Sequence, residues 1–127
     1  TGWVEPTEVP AWLADSDVVV APSRTAPDGW AEAQGLSIVE AMAACRPVVA
    51  TDSGGIGDAI EHEVTGLMVG EGRSDELADA VRRLRSDPAL AARLAEAGRA
   101  RAGDRFSAGA SADAFSALFA ELIGNRS

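Results

Sequence analysis

Lysine is absent from the sequence: all 11 basic residues are Arg, set against 20 Asp and Glu, for a formal net charge of −9. A nucleic-acid binder needs a basic face, which this balance argues against, although a locally placed Arg can still meet a small anion. All-Arg usage reads as codon bias. The single cysteine excludes an internal disulfide and suits a reducing compartment. That residue, Cys45, has no His near it in sequence and reads as a small buried packing residue, not a nucleophile. The only histidine, His62, stands between two Glu at a helix end and reads as a surface residue. No group of side chains has metal-ligand spacing, so no metal is expected. No apolar run approaches the roughly 18 to 20 residues that span a bilayer, and no charged-then-apolar leader opens the chain. A cytoplasmic protein is the default expectation.

What is present is an ordinary globular composition, 46% apolar and 24% charged over 127 residues, enough for one domain and too little for two. Thr1-Gly2-Trp3-Val4 opens as a fragment of strand pattern, and Pro10 to Ala14 gives a short helical turn. Asp17 to Ala21 is a strand whose continuous apolar run suits a sheet covered on both faces, and Pro22 to Trp30 is a loop. Pro47 to Thr51 reads as a β-branched strand, Asp52 to Gly55 as a turn, Gly57 to Glu61 as a short helix, and Leu67 to Val69 as a third strand. Three helices follow: Ser74 to about Arg85 with Leu77, Val81 and Leu84 on one face; Asp87-Pro88 to about Ala102 with Leu90, Leu94 and Ala97; and one from Ser107 with Phe115, Leu118, Phe119 and Leu122. Strand, helix, strand, helix, strand means a parallel α/β arrangement.

Glu32 to Thr51 concentrates the chemistry. Gly35 supplies a flexible backbone, and Leu36, Val39, Met42 and Ala43 then mark one apolar helix face. Pro47 disfavours the α conformation in Arg46, so the helix must stop by there. Glu32 precedes the helix and Glu40 lies in its second turn, eight positions later. Between them is a helix N-terminus, where unpartnered N–H groups and about half a positive charge favour an anion beside Gly35 and Leu36. Carboxylates repel a phosphate but accept well from hydroxyls. A ligand carrying both phosphates and hydroxyls would fit.

These residues resemble the retaining, nucleotide-sugar-dependent glycosyltransferases of family 4, which have the GT-B fold and a characteristic E-x7-E. Glu32-Ala33-Gln34-Gly35-Leu36 runs into Glu40-Ala41-Met42-Ala43, then Pro47-Val48-Val49-Ala50-Thr51 and Gly54-Gly55. Gly2-Trp3-Val4, Pro10 to Leu13, Asp17 to Ser23 and Thr65 to Val69 also match, so the resemblance covers essentially the whole chain. It implies part of a Rossmann-like C-terminal domain, with parallel strands, helices on both faces and C-terminal helices after them. The chain, residues 1–127, would then be one partial domain. Three strands are found where the family has about six in the order 3-2-1-4-5-6, so the Val18 to Ala21 strand would present an open edge available to a dimer or a partner segment.

By the same resemblance, Glu40 would hold the ribose hydroxyls and Glu32 the donor-sugar hydroxyls near the anomeric carbon. The backbone of Gln34, Gly35 and Leu36 would approach the diphosphate. The implied activity is sugar transfer from a nucleotide-diphospho-sugar to an unidentified acceptor hydroxyl with retention, using no cofactor or metal. The family's Arg and Lys pair and its acceptor-binding N-terminal domain would by this resemblance precede Thr1, so the isolated chain is expected to be inactive, and any peripheral membrane contact would belong to that domain. Ala33 and Gln34 replace commoner Gly and aromatic residues, and Cys45 replaces a Gly that often needs positive φ.

Other readings compete. Glu40 can be a plain solvated helix residue, and Arg24 can be solvent-exposed instead of reaching a phosphate. Gly55-Ile56-Gly57 with Ile60 half-matches a dinucleotide fingerprint but lacks its third Gly and its later acid, which leaves a turn that only glycines can make. Glu32 and Glu40 as a glycosidase pair would need a scaffold fixing their separation across a sugar ring, and none is evident. The rival from another class is a non-catalytic nucleotide-binding or interaction module partnered by another chain.

Overall fold

A computed structural model describes residues 2–124. Its order is α1 (Val9–Ala14), β1 (Val19–Ala21), α2 (Leu36–Ala43), β2 (Val48–Thr51), α3 (Ile56–Ala59), β3 (Leu67–Val69), α4 (Ser74–Ser86), α5 (Pro88–Phe106) and α6 (Ala108–Gly124). The strands form a parallel sheet in the order β1-β2-β3, with Val20 opposite Val49 and Ala50 opposite Met68. This is the expected Rossmann-like α/β arrangement. No helix among the described residues is long and apolar enough to cross a membrane.

Alternation along the strands sorts the core onto two faces. Val48 and Ala50 join Ile38, Met42, Ile56 and Ile60 on one side, whereas Val49 joins Leu67, Leu84, Leu90 and Leu94 on the other. All four residues of β2 are buried. β1 is only half-buried, contrary to a strand covered on both faces: Val20 is 40% exposed, and the outer edge of β1 has no strand partner among the described residues. Gly2 to Val4 forms no strand, and Thr1 lies outside the described residues.

The helix ends follow local chemistry. Asp87 caps α5 by accepting from the Leu90 N–H at 2.9 Å, with Pro88 in the first turn where its missing N–H costs nothing. α4 differs from expectation, since Ser74 is already helical and makes no capping bond, while Glu76 reaches the Gly70 N–H and pairs with Arg73. The apolar face of α2 is also shifted: Ile38, Val39, Ala41 and Met42 are buried, and Leu36 is 65% exposed. The stripe Phe115, Leu118, Phe119 and Leu122 on α6 is exposed throughout.

α2 ends before Pro47 is reached. The Arg46 N–H donates to the Ala41 carbonyl and the Cys45 N–H to the Met42 carbonyl, each at 2.9 Å, a paired closure that puts Cys45 at φ 56°. An L side chain there costs about 1–2 kcal/mol, which glycine avoids while losing some entropy in the unfolded chain. Cys45→Gly is therefore expected to stabilise the full-length protein by about 1 kcal/mol, read as a higher urea midpoint at unchanged slope. A lower midpoint would show that the half-buried thiol contributes more than the strain removes.

Candidate functional site

Parallel sheets place ligands at the carboxyl ends of their strands, because the loops leaving those ends are free to vary. Here these loops are 22–35 after β1, 52–55 after β2 and 70–73 after β3. Glu32 and Gly35 lie in the first. Gly35 is buried at φ 64°, a left-handed conformation that turns the chain into α2. Its N–H donates to Glu32 Oε1 at 3.3 Å, so the half-buried carboxylate sits at the positive end of the helix. The next N–H groups, on Leu36 and Ser37, have no acceptor within the helix. The Glu32 carbonyl in turn accepts from the Gly55 N–H at 2.8 Å, which ties the acidic loop to the turn after β2.

Glu40 is exposed on α2 and lines a cavity of about 310 Å³ with Pro6, Val9, Pro10, Leu13, Ala43 and Ala44. The walls are apolar apart from this carboxylate. Glu32 is not among the residues lining it, so the two acids stand apart, Glu32 before α2 and Glu40 on its second turn. Gln34 and Leu36 are exposed on either side of the buried Gly35. Among the described residues no group of three or more His, Cys, Asp or Glu could hold a metal ion.

Three polar links that bind the loops together were not legible in sequence. Thr51, buried at the end of β2, donates its hydroxyl to the Ser23 carbonyl at 2.5 Å. Glu71 accepts from Thr25 Oγ1 at 2.6 Å and from the Thr25 N–H at 3.1 Å, across 46 positions of sequence. The Ser53 hydroxyl is buried with no hydrogen-bond partner among the described residues. The Ser53 and Thr25 hydroxyls, followed by the Thr25 N–H, hold the Glu71 carboxyl below its ordinary value. Gly70 and Gly72 advertise a loop in sequence, but nothing there advertises a partner for Glu71. Arg24 is exposed and lines a cavity of about 250 Å³ with Arg73 and Thr51. His62, exposed as expected, also serves the fold, since its Nδ1 accepts the Met68 N–H at 2.9 Å.

A three-stranded parallel sheet with flanking helices defines a Rossmann-like α/β fold, and the chain matches the family described as Glycosyl transferases group 1 over residues 1–101. It belongs to that family, in the part that forms the C-terminal half of the GT-B fold. Among its relatives, the alpha-D-kanosaminyltransferase of Streptomyces kanamyceticus is 34% identical over 122 residues, covering 96% of this chain and 30% of that protein. The GDP-mannose-dependent alpha-(1-6)-phosphatidylinositol monomannoside mannosyltransferase of Mycobacterium tuberculosis is 45% identical over 102 residues, 78% of this chain and 26% of its own. Sucrose-phosphate synthase from Thermosynechococcus elongatus superposes with a TM-score of 0.81 at 31% identity, over 98% of this chain and 30% of that one. Anabaena HepE in complex with UDP-glucose gives 0.74 at 32% identity, over 93% and 30%. The chain thus spans about 30% of the length of the first of these relatives.

The Glu71 link has a pH signature. Its folded pKa lies below the ordinary glutamate value of 4.5, so its contribution is present above that value and is lost as pH falls through the folded pKa. Protection of the Thr25 amide against hydrogen exchange is expected to drop below pH 4.5 earlier than protection of β2, whose bonds involve no titrating group. Parallel loss at both places would show that Glu71 does not hold the loop.

Proposed function

We propose that this chain forms the nucleotide-sugar side of a glycosyltransferase that acts with retention at the anomeric carbon. The observation that carries the reading is the start of α2, a buried left-handed Gly35 and open N–H groups at the carboxyl end of a parallel sheet, with one carboxylate before it and another on its second turn. In this reading the diphosphate rests against the N–H groups of Leu36 and Ser37, with the backbone of Gln34 and Gly35 alongside. Glu40 accepts from the ribose hydroxyls, and the apolar walls formed by Pro6, Val9 and Leu13 receive the flat face of the base. Glu32, already directed at the helix start, accepts from donor-sugar hydroxyls and thereby sets the anomeric carbon.

As the sugar leaves, charge develops on the diphosphate, and fixed backbone dipoles stabilise it without reorganising. HepE was solved with UDP-glucose, and the mycobacterial relative is named for GDP-mannose. A nucleoside diphosphate donor is the shared chemistry. The acceptor side would come from outside these 127 residues, in keeping with a chain that spans under a third of its relatives.

In the full-length protein, Glu40→Ala is expected to weaken UDP or GDP binding by about 1–3 kcal/mol in calorimetry, the range for a lost charge-assisted hydrogen bond. Glu32→Ala should chiefly lower turnover. Unchanged diphosphate affinity in the first variant and unchanged turnover in the second would reject these roles.

Chelation of divalent metal is expected to leave turnover nearly unchanged, because the helix start supplies the anion stabilisation. Activity lost to a chelator and restored by magnesium or manganese would contradict that assignment.

A further inference from the structure

Gly54 and Gly55 pack directly against the backbone of the acidic loop. Gly54 has φ +55°, and a Cβ there would lie 2.2 Å from the Glu32 carbonyl oxygen and 3.0 Å from the Ala31 Cβ. A Cβ on Gly55 would lie 1.9 Å from the Ala33 carbonyl oxygen. Contacts below 3.0 Å force something to move, and both oxygens belong to backbone, so no side chain can swing away. The Gly55 N–H simultaneously donates to the Glu32 carbonyl at 2.8 Å. Residues 31–33 are thus seated on the turn at three consecutive positions.

The seat itself is rigid. Thr51 and Ser53 before it are buried, Ile56 after it is fully buried, and the Ile56 N–H closes the turn on the Ser53 carbonyl at 3.2 Å. An intrusion at the turn therefore displaces the loop and not the core. The loop's other end is held by Gly35, whose N–H binds the Glu32 carboxylate. Any shift at residues 31–33 is passed to that carboxylate.

We propose that the Gly54-Gly55 turn is a positioning element for Glu32, setting where its carboxylate meets the donor sugar. This rests on the role assigned to Glu32 above. The physical reason is steep distance dependence: a misplacement of about 1 Å in a reacting assembly costs on the order of 100-fold in rate. Neither Gly54 nor Gly55 lines the cavity that Glu40 borders, so nucleotide affinity is expected to be insulated from the turn.

The test uses the full-length protein with UDP-glucose and GDP-mannose as donor probes, turnover followed by release of the nucleoside diphosphate, and hydrogen exchange at the Gly35 amide as a readout independent of the donor. Gly55→Ala is expected to lower kcat about 10- to 100-fold with UDP and GDP affinity within about 3-fold of the parent, and to speed Gly35 amide exchange about 10-fold while β2 exchange is unchanged. In a Glu32→Ala background the same substitution should lower kcat no further. If Gly55→Ala fails to fold, insertion of one glycine between Gly54 and Gly55 removes the seat without a Cβ and should give the same pattern. Full turnover in Glu32→Ala would overturn the functional reading. Loss in Glu32→Ala together with unchanged Gly35 exchange in the turn variant, or an additive loss in the double variant, would overturn the positioning role alone.

Discussion

The structure depends on β2 being paired on both sides and covered on both faces. Its four residues are all buried, and it supplies Val48 and Ala50 to one half of the core and Val49 to the other. A strand in that position loses water from every backbone group, so each must find a ladder partner. β1 and β3 provide them in parallel register, which puts the three loop exits at one end of the sheet. The buried Thr51 then closes β2 by bonding to the loop that leaves β1. The acidic loop is therefore placed by the sheet, even though it contributes nothing to the sheet's hydrogen bonds.

A chain with net charge −9 and no lysine is an unexpected host for the anionic ligand proposed above. In that reading the anion site is made of backbone. The start of α2 offers N–H groups and a partial positive charge whatever the side chains, with Gly35 turning the chain into it in a left-handed conformation. A carboxylate already occupies part of it, since Glu32 accepts from the Gly35 N–H. In the proposed reading a bound phosphate and this carboxylate would divide the donors between them, with Glu32 turned toward hydroxyls and the phosphate toward the next N–H groups. Their competition would then place the sugar beside the acid.

The same sheet leaves apolar surface uncovered. Val20 on β1 and Trp12 on α1 are exposed beside a groove lined by Val4, Val9 and Leu13, and α6 exposes Phe115, Leu118 and Phe119 along one face. Exposed apolar stripes of this kind mark contact surfaces, because clustered hydrocarbon in water is unfavourable by about 25 cal/mol for each Å². They belong with the finding that relatives extend well beyond the region matched here. His62 does the opposite job at β3: by accepting the Met68 N–H it occupies a position where another strand could pair.

Local signals in the sequence determined the element types and the placement of the acids. The β-branched run at Val48 to Thr51, the Asp87-Pro88 helix start and the E-x7-E spacing around Gly35 each rest on interactions within a few residues, and so they can be read without the fold. Cys45 at a position wanting glycine was legible for the same reason, and it adopts the positive φ that position requires. Which face of α2 is buried was not legible: Leu36 and Ala43 fit the helical period, yet Ile38 and Ala41 are the residues inside, because the direction of the sheet decides among overlapping stripes. The Glu71 bond to Thr25 and the seat of residues 31–33 on Gly54 and Gly55 join positions distant in sequence, with no periodicity or propensity to mark them. The sequence by itself therefore determined that an acid precedes a helix start, whereas only the tertiary structure decided where that acid is held, since its position is set by backbone contacts that exist only after three strand exits have been brought together.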